Sequence, residues 1–162
     1  MTRLAVFLGS FGYVGYFPVA PGTAGSAAGL ALFALMKWAT GSAPGARLAP
    51  GLEVGAIVLL GLAGVWSGNV AERHFGTKDP GQVVLDEVVG MLITLAFMPI
   101  GWTAALFGFF VFRVSDIIKP FPASRFERLG GGLGIMADDA MSAVYANLVV
   151  RAALWLLPGW FL

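Results

Sequence analysis

Cysteine is absent from this chain of 162 residues, and histidine occurs only once, at His74. The lack of cysteine excludes disulfides, cysteine-ligated zinc and thiolate nucleophiles. Charge is also scarce, because charged residues make up 12% of the chain and the formal net charge is +1. A chain without a strong positive field has no general attraction for nucleic acid, so we expect no nucleic-acid partner.

The chain is instead rich in apolar residues. Hydrophobic residues make up 58% of the sequence and the mean hydropathy is +0.83, well above that of an ordinary soluble domain. A lipid bilayer is therefore the expected solvent. We predict an all-α, multi-helical integral membrane protein that forms one domain over residues 1–162, since no repeat or linker divides the chain.

The hydrophobic pattern predicts four to five short apolar helices. A short embedded or surface segment is expected before Pro21, and Thr23 is predicted to cap the first long helix. The predicted helices cover residues 24–39, 52–71, 83–98, 102–118 and 138–157. Glycines and prolines mark loops at 40–51 (with Pro44) and 119–137, a polar loop covers 72–81, and 130–134 is expected to be a flexible turn. Small-residue faces at Gly25/Gly29 and Gly64/Gly68 fit either internal packing or a homodimer.

Basic residues indicate how these helices are oriented. If the helices alternate in direction, the N-terminus and the loops at 72–82 and 119–137 lie on one side. That side carries most of the cations, namely Arg3, Arg73, Lys78, Lys119, Arg125 and Arg128. The opposite side has only Lys37, Arg47 and Arg151. The positive-inside rule then makes the richer side cytoplasmic.

Five carboxylates lie at the predicted helix ends on that same side: Asp86, Glu87, Asp116, Asp138 and Asp139. Acids near helix starts are often simple partners of the helix dipole. Acids within apolar segments are, however, rarely without function. If they meet in one place they repel one another strongly and need a cation. We therefore predict an active site at the cytoplasmic rim.

The chemistry of this predicted cluster points to a hard metal ion. Oxygen ligands without a cluster of histidine or cysteine favour Mg²⁺, which is commonly held by carboxylates together with substrate phosphates. All five acids are candidate ligands and candidate catalytic groups. Cysteine phosphatases and paired-histidine lipid phosphatases lack their nucleophiles here, whereas metal-assisted hydrolysis remains open.

Three further residues are candidates for binding phosphate. Arg113, Asp116 and Lys119 are spaced three residues apart at the end of a helix. The two cations could clamp a phosphate beside the metal. Equally, Arg113 could form an intrahelical salt bridge while Lys119 extends to the lipid headgroups. Thr23 and the amides after it could receive a phosphate at a helix start, or could form a plain helix start.

Four motifs occur in order along the chain: P-G-T-x-G-S at 21–26, D-E-V-V-G at 86–90, F-R-x-x-D-I-x-K-P-F-P at 112–122 and G-G-x-G-I-M-x-D-D at 131–139. Together they resemble the phosphatidylglycerophosphatase A family over about residues 9–145. The resemblance places the family's acidic positions on the five carboxylates named above. Its basic and hydroxyl positions fall on Arg113, Lys119 and Thr23.

The resemblance implies a Mg²⁺-dependent lipid phosphatase of phospholipid biosynthesis. Its expected substrate is phosphatidylglycerophosphate, and its products are phosphatidylglycerol and inorganic phosphate. The expected location is the bacterial inner membrane, with several membrane passes and the active site facing the cytoplasm. The alternative is a membrane protein that binds or transports a divalent cation through the same acids and catalyses nothing.

Overall fold

A computed structural model of the chain describes residues 1–43, 45–126 and 129–161. Within these ranges all regular structure is helical, which confirms the all-α prediction. The α-helices are α1 (Thr2–Gly9), α2 (Pro21–Ala39), α3 (Pro50–Phe75), α4 (Leu85–Leu95), α5 (Trp102–Ile118), α6 (Ala123–Phe126), α7 (Gly131–Leu156) and α8 (Pro158–Phe161). Pro44, predicted in a loop, and Arg128, predicted on the cytoplasmic side, lie outside the described residues.

Two helices are longer than predicted. Helices α3 and α7 each have 26 residues, and both are long and apolar enough to cross a membrane, with mean hydropathies of 1.7 and 1.3 over their most apolar windows. The expectation of short helices throughout is therefore wrong for these two. Helix α3 passes through the polar residues Arg73 and His74 and ends only at Gly76, whose φ of 68° suits glycine at a helix end.

The glycines at 130–134 belong to a helix start rather than to a flexible turn. Helix α7 begins at Gly131, and its Gly132 amide donates a hydrogen bond of 3.0 Å to Oδ1 of Asn69 on α3. A Cβ on Gly68 would lie only 2.8 Å from Cα of Gly132, so both helices need a small residue at this crossing. The predicted loop at 119–137 is thus shorter and also contains α6. As a result, Asp138 and Asp139 lie about two turns inside α7 instead of at its start.

The start of α2 also differs from the prediction. This helix begins at Pro21, with Ala20 in the capping position, so Thr23 lies in its first turn and is not the N-cap. Proline is favoured at the first helical position because it has no amide hydrogen to satisfy there. The amides of Thr23 and Ala24 both donate to the carbonyl oxygen of Ala20, at 3.0 and 3.2 Å.

Helix α4 lies at the centre of the fold and is buried along most of its length. It has only 11 residues, fewer than the 83–98 predicted, and packs against α2, α3, α5 and α7. Gly25 and Gly29 of α2 allow its close approach, so these glycines serve packing within the chain. The homodimer stays a prediction.

Side chains from neighbouring helices satisfy the backbone where α4 ends. Asn147 of α7 donates to the carbonyl oxygen of Ile93 at 2.9 Å and to those of Thr94 and Ala96 at 3.1 and 3.2 Å. The buried carboxylate of Glu53 on α3 accepts the amide of Phe97 at 3.1 Å. The short helix is therefore anchored at the end opposite to Asp86 and Glu87.

Candidate functional site

The fold brings the five predicted carboxylates to one place between the helices. Asp86 and Glu87 come from the first turn of α4, Asp116 from the last turn of α5, and Asp138 and Asp139 from α7. We call these five residues the acidic cluster. Its four aspartates are 3% to 8% exposed. Three distant segments thus contribute charge to a pocket with little contact with water.

Three members of the acidic cluster could hold a metal ion together. Asp86, Glu87 and Asp139 each offer a carboxylate oxygen, and these oxygens lie within 4.8 Å of one another. Each of the three residues has one buried oxygen without a hydrogen-bond partner among the described residues: Oδ1 of Asp86, Oε2 of Glu87 and Oδ2 of Asp139. Buried carboxylate oxygens without partners are costly, and a bound cation would remove that cost. This donor set fits a hard divalent ion such as Mg²⁺.

The other two acids are engaged by cations of the chain. Arg113 and Asp116 form the expected intrahelical salt bridge, with 2.9 Å between Nη1 and Oδ2. Lys119 Nζ lies 2.6 Å from Oδ2 of Asp138, so its ammonium points into the cluster and not out to the headgroups. The second oxygen of Asp138 accepts the amide of Asp139 at 2.9 Å. Asp116 and Asp138 therefore hold the two cations beside the three acids that form the candidate metal site.

A serine that the sequence reasoning did not single out completes the surroundings of Arg113. Ser26 is fully buried on α2 and accepts a hydrogen bond of 3.3 Å from Nη1 of Arg113. Its own hydroxyl donates to the carbonyl oxygen of Gly22 at 3.0 Å. A Cβ on Gly22 would collide with Oε1 of Glu87, so the first turn of α2 touches the cluster directly. Ser26 closes the P-G-T-x-G-S motif four residues after Gly22, which is the signal that could have identified it.

Thr23 is placed differently from the other predicted site residues. It is exposed, and its amide is already used within the first turn of α2. The part of the chain that the structure describes shows no hydrogen bond from its side chain to the acidic cluster. Gly22, one residue earlier, is the position that contacts Glu87. A phosphate role for Thr23 thus stays a prediction without a supporting contact.

Burial and mutual repulsion favour the protonated forms of the two acids on α4. Burial, above all, raises the pKa of Glu87 to about 7, and repulsion from Asp116 adds to the effect. Hydrogen bonding to Asp86 and the charge of Arg113 act in the opposite direction. Burial also raises the pKa of Asp86, with repulsion from Glu87 and Asp139. Five carboxylates against two cations leave an excess of negative charge that either protons or a metal ion can balance.

The fold and the site together define a class: an all-helical protein that has two helices long enough for a bilayer and a carboxylate pocket suited to a hard cation. Comparison with known proteins narrows this class. The profile of the phosphatidylglycerophosphatase A family matches residues 7–154. The chain belongs to that family.

Individual relatives agree with this assignment. The chain is 37% identical to phosphatidylglycerophosphatase A of Escherichia coli, over 87% of this chain and 76% of the relative. It is 38% identical to phosphatidylglycerophosphatase A of Haemophilus influenzae, over 95% of this chain and 89% of the relative. A protein of Bacteroides thetaiotaomicron, provisionally named a phosphatidylinositol-3-phosphatase, is 34% identical over 95% of this chain and 96% of the relative. No solved structure matches the chain.

Proposed function

We propose that the protein hydrolyses the terminal phosphomonoester of phosphatidylglycerophosphate, giving phosphatidylglycerol and inorganic phosphate. The observation that carries this proposal is a set of three adjacent carboxylates, each with a buried oxygen that has no hydrogen-bond partner among the described residues, flanked by two cations in a member of the phosphatidylglycerophosphatase A family. A negatively charged pocket cannot receive a phosphate unless a cation is present. We therefore propose that the enzyme requires Mg²⁺.

The five acids have two distinct tasks in this proposal. Asp86, Glu87 and Asp139 would hold the metal ion, which when bound would supply charge neutralisation for the phosphoryl oxygens and activation of a water. Asp116 and Asp138 keep Arg113 and Lys119 aimed into the pocket, at the 2.9 and 2.6 Å distances given above. Ser26 holds the same guanidinium from the other side.

The two cations bind the reacting phosphate. The water oxygen attacks phosphorus in line with the ester oxygen of the glycerol. The new phosphorus–oxygen bond forms as the bond to the ester oxygen breaks, and the proton lost by the water ends on the alcohol product. Arg113 and Lys119 neutralise charge on the equatorial phosphoryl oxygens.

We also propose a location for this site. Helices α3 and α7 cross the bacterial inner membrane, and the protein passes through it several times. The ends of these helices near Arg73 and Lys78 face the cytoplasm, as the positive-inside rule favours. The substrate lipid then keeps its acyl chains in the bilayer while its headgroup enters the acidic cluster.

The test is release of inorganic phosphate from defined lipids by the purified protein, with and without Mg²⁺. We expect release from phosphatidylglycerophosphate that stops when EDTA removes the metal and returns when Mg²⁺ is restored. Phosphatidylinositol 3-phosphate is assayed in parallel, because the Bacteroides thetaiotaomicron relative carries that substrate in its name. Faster release from phosphatidylinositol 3-phosphate would contradict phosphatidylglycerophosphate as the substrate. Metal binding without any phosphate release would favour the non-enzymatic cation-binding alternative.

A further inference from the structure

A polar cavity of about 490 Å³ opens beside the acidic cluster. Its walls come from the end of α3, the loop that follows it, α6 and the first turns of α7. Glu72, Lys78, Asp79 and Ser124 supply polar groups to the wall, and Asp138 lies at its inner end. Asp138 also belongs to the acidic cluster, so the cavity and the site share a residue.

The cavity follows one face of α7 inward from the surface. Gly131, Ile135 and Asp138 all line it, and they are spaced four and three residues apart on the helix. Such residues lie on one face of a helix, and seven residues rise about 10 Å. Lys78, Asp79 and Ser124 are exposed, whereas Ile135 and Asp138 are 5% and 3% exposed. The cavity therefore leads from exposed residues to the buried acids.

No residue of the acidic cluster lines the cavity between α1 and α3, which is apolar. Its walls include Phe7, Leu60 and Leu85. Hydrolysis has two products with opposite solubilities, since the lipid alcohol stays in the bilayer and the phosphate must reach water. A buried site of this kind needs a separate polar route for the second product.

We propose that this cavity is the aqueous port of the acidic cluster, through which inorganic phosphate leaves along the first two turns of α7. The inference rests on the proposed function. The five carboxylates outnumber the two cations Arg113 and Lys119, so the cluster keeps an excess of negative charge even with one divalent ion bound, and this charge favours departure of the free phosphate. Lys78 lines the outer wall beside the carboxylates of Glu72 and Asp79, and Lys119, which pairs with Asp138, adds positive charge next to the inner end.

The absence of cysteine from the chain allows a direct test. Single cysteines are introduced by Ser124→Cys in the outer wall, Ile135→Cys near the inner end, and Val150→Cys as the matched control. Val150 is on the same helix and fully buried, but it packs in the main apolar core. The purified variants in detergent are treated with the water-soluble anionic reagent sulfonatoethyl methanethiosulfonate, and the rate of thiol loss is measured.

We expect both port cysteines to react and Val150→Cys to resist. Attachment of the charged group at position 135 should also lower steady-state phosphate release about tenfold relative to the same variant before labelling, because product release then limits turnover. Single-turnover formation of the lipid alcohol should change much less. The reagent should leave the activity of Val150→Cys unchanged.

Two results would overturn the port. One is an unreactive Ile135→Cys next to a reactive Ser124→Cys, which would mean that the cavity ends before it reaches Asp138. The other is a fully labelled Ile135→Cys that keeps its steady-state rate. If neither the wild-type chain nor any variant hydrolyses lipid, the proposed function fails, and labelling still decides whether the cavity reaches the inner end.

Discussion

At the scale of single residues, the acidic cluster has two kinds of member: acids in a salt bridge with a cation of the chain, and acids that are candidate metal ligands. Asp116 and Asp138 are neutralised by Arg113 and Lys119, whereas three other acids offer buried oxygens without partners. The sequence predicts the membership of this cluster but not its division. Asp138 and Asp139 are neighbours with similar burial, and only the packing of α5 against α7 decides which of them meets Lys119.

Asp139→Asn should abolish turnover while the protein remains folded. The amide keeps the shape of the side chain but removes the negative charge from a proposed metal ligand, which we expect to lower activity at least about a hundredfold. Phosphate release and binding of Mn²⁺ are measured together with the thermal unfolding temperature. Glu53→Gln is the matched control, because Glu53 is equally buried, at 4%, but lies at the other end of α4. Normal turnover by Asp139→Asn would remove this residue from the site.

Lys119 and Asp138 should be coupled energetically. Lys119→Met leaves Asp138 buried without its cation, and Asp138→Asn leaves the ammonium without its carboxylate, so each single change destabilises the fold. The double variant removes both charges, so its loss of unfolding free energy should be smaller than the sum of the losses in the two single variants by about 2 kcal/mol. Denaturant unfolding of all four proteins measures this coupling. Additive effects would show that the 2.6 Å pair contributes nothing to stability.

At the scale of helices, glycine-mediated crossings determine where the acids lie. The sequence identifies Gly64 and Gly68 as a small-residue face, and the structure places this face against Met136 and Gly132 of α7. The glycine run before Asp138, in contrast, is read from the sequence as a flexible turn. Glycine breaks helices in water, but at 131–134 tertiary packing against α3 overrides that propensity. Local pattern alone therefore could not position Asp138 and Asp139 within α7.

Gly68→Ala should weaken both the fold and the site. The added methyl group would meet the backbone of Gly132 and push α7 away from α3, at a cost of about 1 to 3 kcal/mol. Phosphate release should fall as well, since Asp138 and Asp139 move with α7. Gly61→Ala on the same helix is the control, because its Cβ would have nothing within 4 Å. Thermal unfolding and activity are compared for both variants, and equal behaviour would contradict the close crossing.

At the scale of the whole molecule, the fold concentrates negative charge in a place with little water. The composition predicts the membrane class, and the order of the motifs predicts which segments meet. Neither predicts that Asp138 and Asp139 lie about two turns after the start of α7. Their position depends on where α7 begins, which is set by tertiary packing. The stability of the metal-free protein should therefore depend on pH.

In the absence of divalent cations, stability should fall as the pH rises from about 4.5 to about 7. Burial raises the pKa of Glu87 to about 7, so over this range the folded protein binds more protons than the unfolded chain. The stabilisation from the protonated acid is complete below the unfolded pKa and is lost as the pH passes through the folded pKa. Added Mg²⁺ should reverse the loss by replacing the protons.

Thermal unfolding is measured from pH 4.5 to 8 in EDTA and in excess Mg²⁺. The Glu87→Gln variant should lose part of the pH dependence, because it cannot titrate at this position while Asp86, whose pKa burial also raises, still can. An EDTA curve that rises with pH in the wild-type protein would contradict the assignment of a raised pKa to this group.

The anchored end of α4 has a consequence for how the enzyme meets its fluid surroundings. Asn147 and Glu53 provide hydrogen bonds to the backbone where this 11-residue helix ends, so this end needs no water although Thr94, Leu95 and Ala96 are buried. Asp86 and Glu87 thus lie at the free end of a short helix whose other end is hydrogen-bonded to the two long helices α3 and α7. We expect this attachment to keep the carboxylates of Asp86 and Glu87 at a constant distance from Asp139 while the surroundings of the protein change.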